Sequence, residues 1–364
     1  MRITETAIPG LLIIDLDVHG DNRGWFKENW QREKLTGLAP ELASFQPVQN
    51  NISFNHAGAT RGLHAEPWDK LISVAQGKIF GAWCDLREGS ESFGEVITHE
   101  IGPETAVFVP RGVANGFQAL EDTSYSYLVN EHWSAEARYA AVNLDIVDWP
   151  LEPTEISEKD KQHPSLEEVS PMPARRILVT GANGQLGRAL KRLLGDAEFC
   201  SHADFDITNP PERNWKQYST IINCAAYNDV NGAENDRAAA WAVNAEGPAK
   251  LARIAAENQI TLVHVSSDYI FDGANEVHTE AELPSPLSAY GASKAAGDTA
   301  AQTAPQHYVI RTSWVFGDGE NFMSTMRRLA NKGVEPKVIH DQRGRPTFAE
   351  DLAKGIVHLL KSDA

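Results

Sequence analysis

The stretch RRILVTGANGQLGRALKRLLG, residues 175–195, places an apolar run, a glycine-rich turn and an amphipathic segment in direct succession. Gly181, Gly184 and Gly187 follow the run ILVT with the spacing G-x-x-G-x-x-G. In a strand–turn–helix unit, such glycines allow a tight turn, a close approach of a pyrophosphate to the backbone and close packing of the helix. The stretch therefore predicts a dinucleotide site rather than a purely structural turn.

Strands and helices alternate through the rest of residues 175–364. The runs STIINCAAY, ITLVHVSSDYIF and HYVIRTSWVF predict strands, and the Ala-rich runs between them predict helices. Such alternation is typical of right-handed βαβ units. We therefore expect this half to be an α/β domain with a doubly wound parallel sheet of the Rossmann type.

The end of the second predicted strand of this half bears on the choice of cofactor. NAD sites usually carry an Asp or Glu there, about 20 residues after the glycines, which binds the ribose 2′-hydroxyl. Here Ser201 and His202 come first, and Asp204 and Asp206 follow. We therefore expect NADP(H), keep NAD(H) as an alternative, and assign Asp206 to the cofactor site.

Tyr290 and Lys294 form a Y-x-x-x-K pattern on a predicted helix, where both side chains share one face. An ammonium beside a phenol lowers the pKa of the phenol, which suits proton transfer to a carbonyl oxygen during hydride transfer. Ser267 lies at the carboxyl end of a predicted strand, where open α/β sheets bind ligands. The pattern alone is common, but behind a dinucleotide turn it favours a catalytic group.

At these residues the second half resembles the extended short-chain dehydrogenases, and within them the dTDP-4-dehydrorhamnose reductases. The segments that carry the resemblance are TGANGQLG, INCAAYNDVNGAE, VSSDYIF, YGASK, RTSWVFG and DQRGRPT. The resemblance implies NADPH-dependent reduction of the C4 ketone of a sugar nucleotide, with Ser267, Tyr290 and Lys294 as catalytic residues.

The same resemblance assigns Ala225 and Ala226 to the cofactor site and Trp314 to the neighbourhood of the sugar. Asn231 and Gly232 stand where the family usually has an Asp-Lys pair. Family members continue beyond the GRPT segment with a C-terminal substrate-binding part, so we expect this chain to bind NADP(H) but to reduce the sugar slowly.

Residues 1–150 have a different pattern, in which short alternating runs such as LLIIDLDV, KIFGAWCDL and TSYSYLVNEHW recur between turn signals. Evenly spaced short strands of this kind predict an all-β domain of the jelly-roll type. A short helix is expected near NWQREKLTGL.

From spacing alone, the run RGLH, residues 61–64, and the following Lys70 and Tyr127 are only a weak indication of acid–base chemistry, because a lone histidine near a strand is more often a structural residue. A histidine can remove a proton next to a carbonyl, and a lysine can stabilise the enolate oxygen that results. With GDNRGWFKE, VQNNIS, VPRGVANGF and YLVNEHW, this half resembles the dTDP-4-dehydrorhamnose 3,5-epimerases, which are cupin-type jelly rolls. The resemblance implies that His64 is the base, Asp160 its orienting carboxylate, Lys70 the enolate stabiliser and Tyr127 the acid.

The epimerase resemblance also implies a set of sugar-nucleotide ligands and contains two departures. Gly81 stands where the family often has Asp, and Asn115 stands where a histidine is usual. Five polar residues are expected to hold the nucleotide sugar: Arg23, Glu28, Gln49, Asn51 and Arg61.

The composition bounds the remaining possibilities. The chain has 364 residues with 33 Lys+Arg against 50 Asp+Glu, so its net charge of −17 argues against nucleic-acid binding. No run approaches the ~18 apolar residues of a membrane span, and the N-terminus is a poor signal peptide, which predicts a cytoplasmic protein. The three cysteines have no metal-ligand or disulfide spacing and are expected to be buried thiols.

The expected organisation is an epimerase domain over 1–165, a linker rich in Pro and Glu over 166–174, and a reductase domain over 175–364. Together they would catalyse two successive steps on a dTDP-4-keto-6-deoxy sugar, in a homodimer formed through the jelly roll and without a metal. The alternative is an epimerase carrying a non-catalytic NADP- or sugar-nucleotide-binding regulatory domain. The sequence leaves open dTDP against UDP and one against two epimerised carbons.

Overall fold

The computed structural model describes residues 1–135, 137–319, 321–336, 342 and 344–362. The chain forms two compact units, residues 1–174 and 175–364. Of the DQRGRPT segment, Asp341 and Arg343 lie outside the described residues. Within the described part of the chain, no helix has the length and apolar character needed to cross a membrane.

The first unit is built mainly of strands, and helix α1 (Arg32–Leu38) lies where the sequence predicts a helix. Short 3-10 turns occupy Pro40–Ser44, Leu144–Ile146 and Asp160–Gln162. The strands are β1 (Arg2–Glu5), β2 (Leu12–Asp15), β3 (Val18–Asp21), β4 (Gly24–Lys27), β5 (Gln49–Asn55), β6 (Thr60–Ala65), β7 (Lys70–Gln76), β8 (Ile79–Asp85), β9 (Val96–Ile101), β10 (Thr105–Val109), β11 (Val113–Ala119), β12 (Thr123–Val129) and β13 (Ala140–Ala141).

These strands form two antiparallel sheets and a separate hairpin. One sheet has the order β1-β2-β10-β7-β12-β5 and the other the order β13-β6-β11-β8-β9, while β3 and β4 pair only with each other. Side chains that alternate along the strands fill the core, which includes Ile72, Trp83 and Val107. The predicted all-β jelly roll is confirmed.

Gly81 is explained by this core. A Cβ atom at Gly81 would lie 2.5 Å from the ring of Trp83, a fully buried side chain. Replacement by a larger residue therefore requires the tryptophan to move. Gly81 stands where the epimerase family often has Asp because this chain packs a tryptophan ring over that position.

The segment 166–174, expected to be a linker, packs on the first unit instead. Met172 is 1% exposed and belongs to a core cluster that Leu166 and Val169 also contact. Its N–H donates to the Leu86 carbonyl at 2.7 Å, and its carbonyl accepts from the Glu88 N–H at 2.8 Å. The Pro and Glu content suggested a solvated linker, but the apolar residues at intervals of three anchor the segment.

The second unit alternates strands and helices. Its helices are α2 (Gln185–Lys191), α3 (Gly232–Asn235), α4 (Arg237–Trp241), α5 (Gly247–Asn258), α6 (Ala289–Ala301), α7 (Phe322–Asn331) and α8 (Ala349–Lys361). Its strands are β14 (Arg176–Thr180), β15 (Glu198–Cys200), β16 (Tyr218–Asn223), β17 (Thr261–Ser267), β18 (His307–Thr312), β19 (Val315–Phe316) and β20 (Thr347–Phe348).

The parallel sheet of this unit has the order β15-β14-β16-β17-β18. The chain direction across the sheet reverses between β14 and β16, because β15 lies on one side of β14 and the later strands lie on the other. Open α/β sheets bind ligands at such a switch point, outside the carboxyl ends of the strands. The predicted doubly wound parallel sheet is confirmed.

The three cysteines are free thiols. Cys84 and Cys200 are buried in their own units, as expected, whereas Cys224 is only partly buried. Burial raises the pKa of the Cys84 thiol to about 12. That thiol therefore remains protonated and inert at neutral pH.

Candidate active sites

The first unit contains a cavity of about 500 Å³ between its two sheets. His64, Lys70, Tyr127 and Asp160 all line it, although they come from β6, β7, β12 and the 3-10 turn at 160–162. An adjoining cavity of about 350 Å³ is also lined by His64 and Tyr127. The structure therefore brings the four residues assigned to acid–base chemistry into one space.

The return of the chain toward β6 brings Asp160 to this cavity. The Glu155 carbonyl accepts from the Thr60 N–H at 3.0 Å, so the segment after residue 151 runs beside the start of β6. Asp160 is 5% exposed, and its Oδ1 lies 2.9 Å from His64 Nε2. Its Oδ2 accepts from the Gly62 N–H at 3.1 Å. This carboxylate is thus held by two donors on one strand.

The environment of Asp160 keeps it ionised. Burial acts to raise the pKa of its carboxyl, but hydrogen bonds from His64 and the Gly62 N–H outweigh burial and lower the pKa to about 2. An ionised carboxylate accepts the Nε2 proton of His64, which leaves the lone pair of the imidazole on Nδ1. The His64–Asp160 pair is therefore arranged as a histidine base with its orienting carboxylate.

Lys70 lies at the start of β7 beside Glu66 and Tyr127. Its Nζ donates a short hydrogen bond to Glu66 and lies 5.3 Å from the centre of the Tyr127 ring. Burial raises the pKa of the half-buried Tyr127 phenol, and Glu66 raises it further. The phenol therefore stays protonated at neutral pH, as a proton donor must.

Three of the five expected sugar-nucleotide residues line these cavities, and two do not. Arg61 and Asn51 line the larger cavity, and Gln49 and Asn51 line the smaller one. Arg23 forms an ion pair with Asp21 on its own hairpin, with 90% of its side chain exposed. Glu28 pairs with Lys34. Arg23 and Glu28 are absent from the described linings of both cavities.

Sequence reasoning missed Glu66, Lys159 and His163, which line one or both cavities. Glu66 precedes Lys70 by four residues and His163 follows Asp160 by three, so proximity to an assigned residue was the available signal. Asn115 lies opposite His64 across the β11–β6 ladder, and its Nδ2 donates to the Tyr125 hydroxyl at 3.3 Å. The family's usual histidine is thus replaced by a buried amide with a tyrosine partner.

The second unit contains a cavity of about 430 Å³ at the carboxyl ends of its strands. Cys224, Asn228 and Val230, which follow β16, contribute to its wall. The predicted residues that line it are Gly184, Gly187, Ala226, Ser267, Tyr290, Lys294 and Trp314.

The glycine turn has the geometry that the sequence predicts. Gly181 has a φ of +68°, and a Cβ there would lie 2.7 Å from the Ala225 nitrogen. A Cβ at Gly187 would lie 2.5 Å from the Gly181 carbonyl oxygen. Gly184 is the N-cap of α2, so the start of that helix faces the cavity. Two of the three glycines are therefore required by close backbone contacts.

Ser267, Tyr290 and Lys294 meet in this cavity, but the lysine does not act on the tyrosine as expected. The Lys294 Nζ donates to the Val265 carbonyl at 2.7 Å. Burial raises the pKa of the Tyr290 phenol, and a hydrogen bond with Ser267 opposes that rise. The expectation that Lys294 lowers the phenol pKa is wrong in this structure, because burial dominates and the ammonium is bound to a backbone carbonyl.

Buried polar groups surround Lys294. Burial lowers its pKa to about 8, and the Asp298 carboxylate, one turn later on α6, opposes that shift. Asp298 accepts from the Arg311 Nε at 3.1 Å, and its Oδ1 lies 3.9 Å from His264 Nε2. The charge on Lys294 is therefore balanced from behind the cavity.

Three of the residues assigned to the cofactor, Gly181, Asp206 and Ala225, lie outside the described lining of this cavity. Asp206 Oδ1 accepts from the N–H and the hydroxyl of Thr208, both at 2.8 Å, and so closes its own turn. Ala225 contributes its backbone nitrogen to the contact with Gly181. A role of Asp206 in cofactor binding stays a prediction.

Trp314 lines the cavity with a φ of +42° and an exposed fraction of 45%. A Cβ at Gly344 would lie 2.6 Å from its ring, and the Thr347 N–H donates to its carbonyl at 3.2 Å. The described part of the GRPT segment therefore holds Trp314 at the mouth of the cavity.

Comparison with known families agrees with this division. Residues 5–168 match the family described as dTDP-4-dehydrorhamnose 3,5-epimerase. Residues 175–364 match the family described as RmlD substrate binding domain. Both resemblances inferred from the sequence motifs are confirmed.

Individual relatives match one half each. Over 176 residues the chain is 53% identical to the "Protein RmlC homolog" of Streptococcus pyogenes, covering 45% of this chain and 89% of that protein. Over 200 residues it is 40% identical to dTDP-4-dehydrorhamnose reductase of Mycobacterium tuberculosis, covering 51% of this chain and 66% of that enzyme. The chain therefore spans about two thirds of the length of that reductase.

A solved structure also matches the second half. It is the dTDP-4-dehydrorhamnose reductase of Bacillus anthracis in complex with NADP, which is 35% identical to this chain. The match covers 53% of this chain and 73% of that chain, with a TM-score of 0.48.

The close contacts of Gly187 generate a stability prediction. Gly187→Ala places a methyl group against backbone atoms that cannot move away, so we expect a loss of about 1–3 kcal/mol in the unfolding free energy of the second unit. Gly195→Ala is the matched control, because its added Cβ meets nothing within 4 Å. Denaturant unfolding followed by tryptophan fluorescence measures both; equal stability of the two variants would contradict the packing described for the turn.

Proposed function

We propose that this chain performs two successive steps on one nucleotide sugar. Its first half belongs to the dTDP-4-dehydrorhamnose 3,5-epimerase family, and its second half belongs to the RmlD substrate binding domain family. The first step is epimerisation beside the C4 ketone of dTDP-4-keto-6-deoxyglucose. The second is NADPH-dependent reduction of that ketone. The observation that carries the proposal is the His64–Asp160 hydrogen bond within a cavity that also holds Lys70 and Tyr127.

The epimerisation begins with removal of a proton from the carbon next to the ketone. Because Asp160 accepts the Nε2 proton of His64, Nδ1 of that histidine carries the lone pair that takes the substrate proton. The electron pair of the C–H bond moves to the ketone oxygen, and the Lys70 ammonium stabilises the enolate. Tyr127 then returns a proton to the opposite face of the carbon, and solvent restores both groups.

The reduction uses the second cavity. The start of α2 and the glycine turn bind the cofactor pyrophosphate, which helix N-termini favour. A bound nicotinamide would supply the hydride for C4, and Tyr290 would give its phenolic proton to the oxygen that becomes the alcohol. Ser267 holds that oxygen, and Lys294 contributes positive charge from the cavity wall.

The preference for NADP(H) rests on the residues at the end of β15. The two acids nearest to that strand end are committed to their own turns: Asp204 accepts from the Ser201 hydroxyl at 2.6 Å, and Asp206 accepts from Thr208. Each carboxylate thus uses one oxygen to close its own turn, and neither residue is in the described lining of the cavity. NAD(H) remains the alternative cofactor.

The proposal includes a homodimer formed through the first unit. Arg23 and Glu28 lie on or next to a hairpin that is separate from both sheets and are absent from the described linings of both cavities, so in this proposal they would meet the substrate cavity of a second copy of the chain. The hairpin exposes Phe26 by 64%, and the edge strand β5 exposes Phe54 by 57%. An edge strand with exposed aromatic side chains favours pairing with another chain.

The epimerase role generates a test on His64. His64→Ala should reduce solvent deuterium uptake next to the ketone by about 10²–10⁴-fold, because a positioned general base contributes that much. NMR of dTDP-4-keto-6-deoxyglucose incubated in D₂O with the full chain measures the uptake. His56→Ala is the matched control, since His56 pairs with Asp122 at 3.4 Å but is absent from the described cavity linings. Uptake at the wild-type rate in His64→Ala would remove it from the base role.

The reductase role generates a test on Tyr290. Tyr290→Phe should bind NADPH nearly as well as the wild type, because the glycine turn supplies the phosphate contacts, while NADPH oxidation falls by at least about 10²-fold. Cofactor titration by fluorescence and oxidation with the epimerised sugar separate the two effects. A non-catalytic binding domain predicts instead that the wild type binds NADPH and oxidises none. If Tyr290→Phe weakened NADPH binding as much as it slowed NADPH oxidation, Tyr290 would have a structural role and not a catalytic one.

The proposed homodimer is tested by measuring the molar mass of the protein in solution. Light scattering should give the wild type twice the 40.0 kDa mass of the chain, and Phe54→Lys should shift it toward the monomer. Val277→Lys, at an exposed apolar position of the second unit, should leave the mass unchanged. A monomeric wild type, or a dimer that Phe54→Lys leaves intact, would contradict this interface.

A further inference from the structure

His163 lies beside the His64–Asp160 pair without a role in the proposed reactions. Its ring centre is 4.9 Å from that of His64, edge to face, and its Nε2 lies 3.9 Å from Asp160 Oδ1. One ligating atom from each of the three residues lies within 4.8 Å of the other two. Two imidazoles and a carboxylate are therefore gathered at one point of the cavity.

The polar atoms of His163 are unsatisfied. Its side chain is 7% exposed, and neither ring nitrogen has a hydrogen bond of normal geometry among the described residues, although the Gly62 backbone lies near enough to act on the ring. The nearby Gly62 N–H already donates to Asp160 Oδ2. Burying a polar group without a good partner is unfavourable, so the site gains free energy from a ligand that binds a ring nitrogen of His163.

The separations fit a small divalent cation. Zn²⁺ binds imidazole nitrogen and carboxylate oxygen at about 2.0–2.2 Å, so tetrahedral ligands lie roughly 3.3 Å apart. The distances from Asp160 Oδ1 to the two Nε2 atoms, 2.9 Å and 3.9 Å, lie on either side of that value. His64 is 37% exposed and lines both cavities, which leaves a fourth position open to a water molecule.

We propose that His64, Asp160 and His163 form a Zn²⁺ site, and that Zn²⁺ bound there switches off the epimerase. Occupation of the site replaces the proton between His64 Nε2 and Asp160 Oδ1 by the metal ion. The inhibitory part of this inference rests on the proposed function of His64 as the base, whereas the binding part does not.

Tautomer chemistry explains the inhibition. A neutral imidazole has one proton and one lone pair on its two nitrogens. When Nε2 gives its lone pair to Zn²⁺, the proton of His64 resides on Nδ1, the nitrogen that would otherwise take the substrate proton. No proton leaves the histidine, but its free lone pair is lost. The His64–Asp160 pair therefore supports either catalysis or, with His163, metal binding, and not both.

Binding is tested with Zn²⁺ alone, by calorimetry on the full chain in a chelator-free buffer. The wild type should bind one Zn²⁺ at this site, and His163→Gln should bind it at least about tenfold more weakly, because it lacks one ligand. His56→Gln is the matched control: His56 also pairs with an aspartate, but that pair is exposed. Absence of binding, or an affinity that His163→Gln leaves unchanged, overturns the site.

A second measurement needs no variant. Histidine ¹⁵N spectra of the full-length wild type should show the proton of His64 moving from Nε2 to Nδ1 as Zn²⁺ is added. Spectra without that exchange overturn the proposal even if His163→Gln fails to fold.

The inhibition is measured separately from binding. Deuterium uptake should disappear with bound Zn²⁺ and return with EDTA, whereas NADPH oxidation with the epimerised sugar should be unaffected. If Zn²⁺ binds as described and His64→Ala retains wild-type uptake, the proposed base fails and the metal site stands. If uptake requires His64 and persists with the site occupied, the switch fails and the proposed function stands.

Discussion

The first active site depends on one hydrogen bond, between Asp160 and His64, whose residues are 96 positions apart in the chain. It joins the segment after the last strands to β6, and it selects the tautomer that leaves Nδ1 of His64 as a base. The Asp160 carboxylate also accepts a hydrogen bond from the Gly62 N–H, so this one side chain fixes both the backbone of β6 and the His64 ring. Farther along the chain, Met172 anchors the same segment in a core cluster of the first unit.

The sequence predicted the fold class of both halves because periodic apolar runs report directly on strands and helices. It predicted less about residues whose role depends on distant contacts. Asp160 lies in a polar stretch, residues 151–165, that carries no periodic signal, and only the resemblance assigned it to the site. Glu66 and His163 were missed, since a single charged or aromatic residue in a loop carries no periodic signal.

The second site shows the same limit in its electrostatics. The spacing of Tyr290 and Lys294 correctly placed both in one cavity, yet the effect of the lysine on the phenol could not be predicted from spacing. The partner of the Lys294 ammonium is the Val265 carbonyl, and burial dominates the pKa of Tyr290. Spacing reports which face two side chains share, whereas their pKa values depend on everything else that surrounds them.

The two sites therefore make opposite demands on folding. The pKa of Asp160 is lowered from 3.8 to about 2, so its hydrogen bonds stabilise the first unit above pH 4 and that gain is lost as the pH falls toward 2. The pKa of Lys294 is lowered from 10.5 to about 8, so burying its charge destabilises the second unit below pH 8, and the cost declines as the pH rises from 8 to 10.5. At neutral pH the first unit gains stability from the Asp160 carboxylate, whereas the second loses stability by keeping a charged Lys294. The buried carboxylate of Asp298 behind Lys294 is the group that limits this loss.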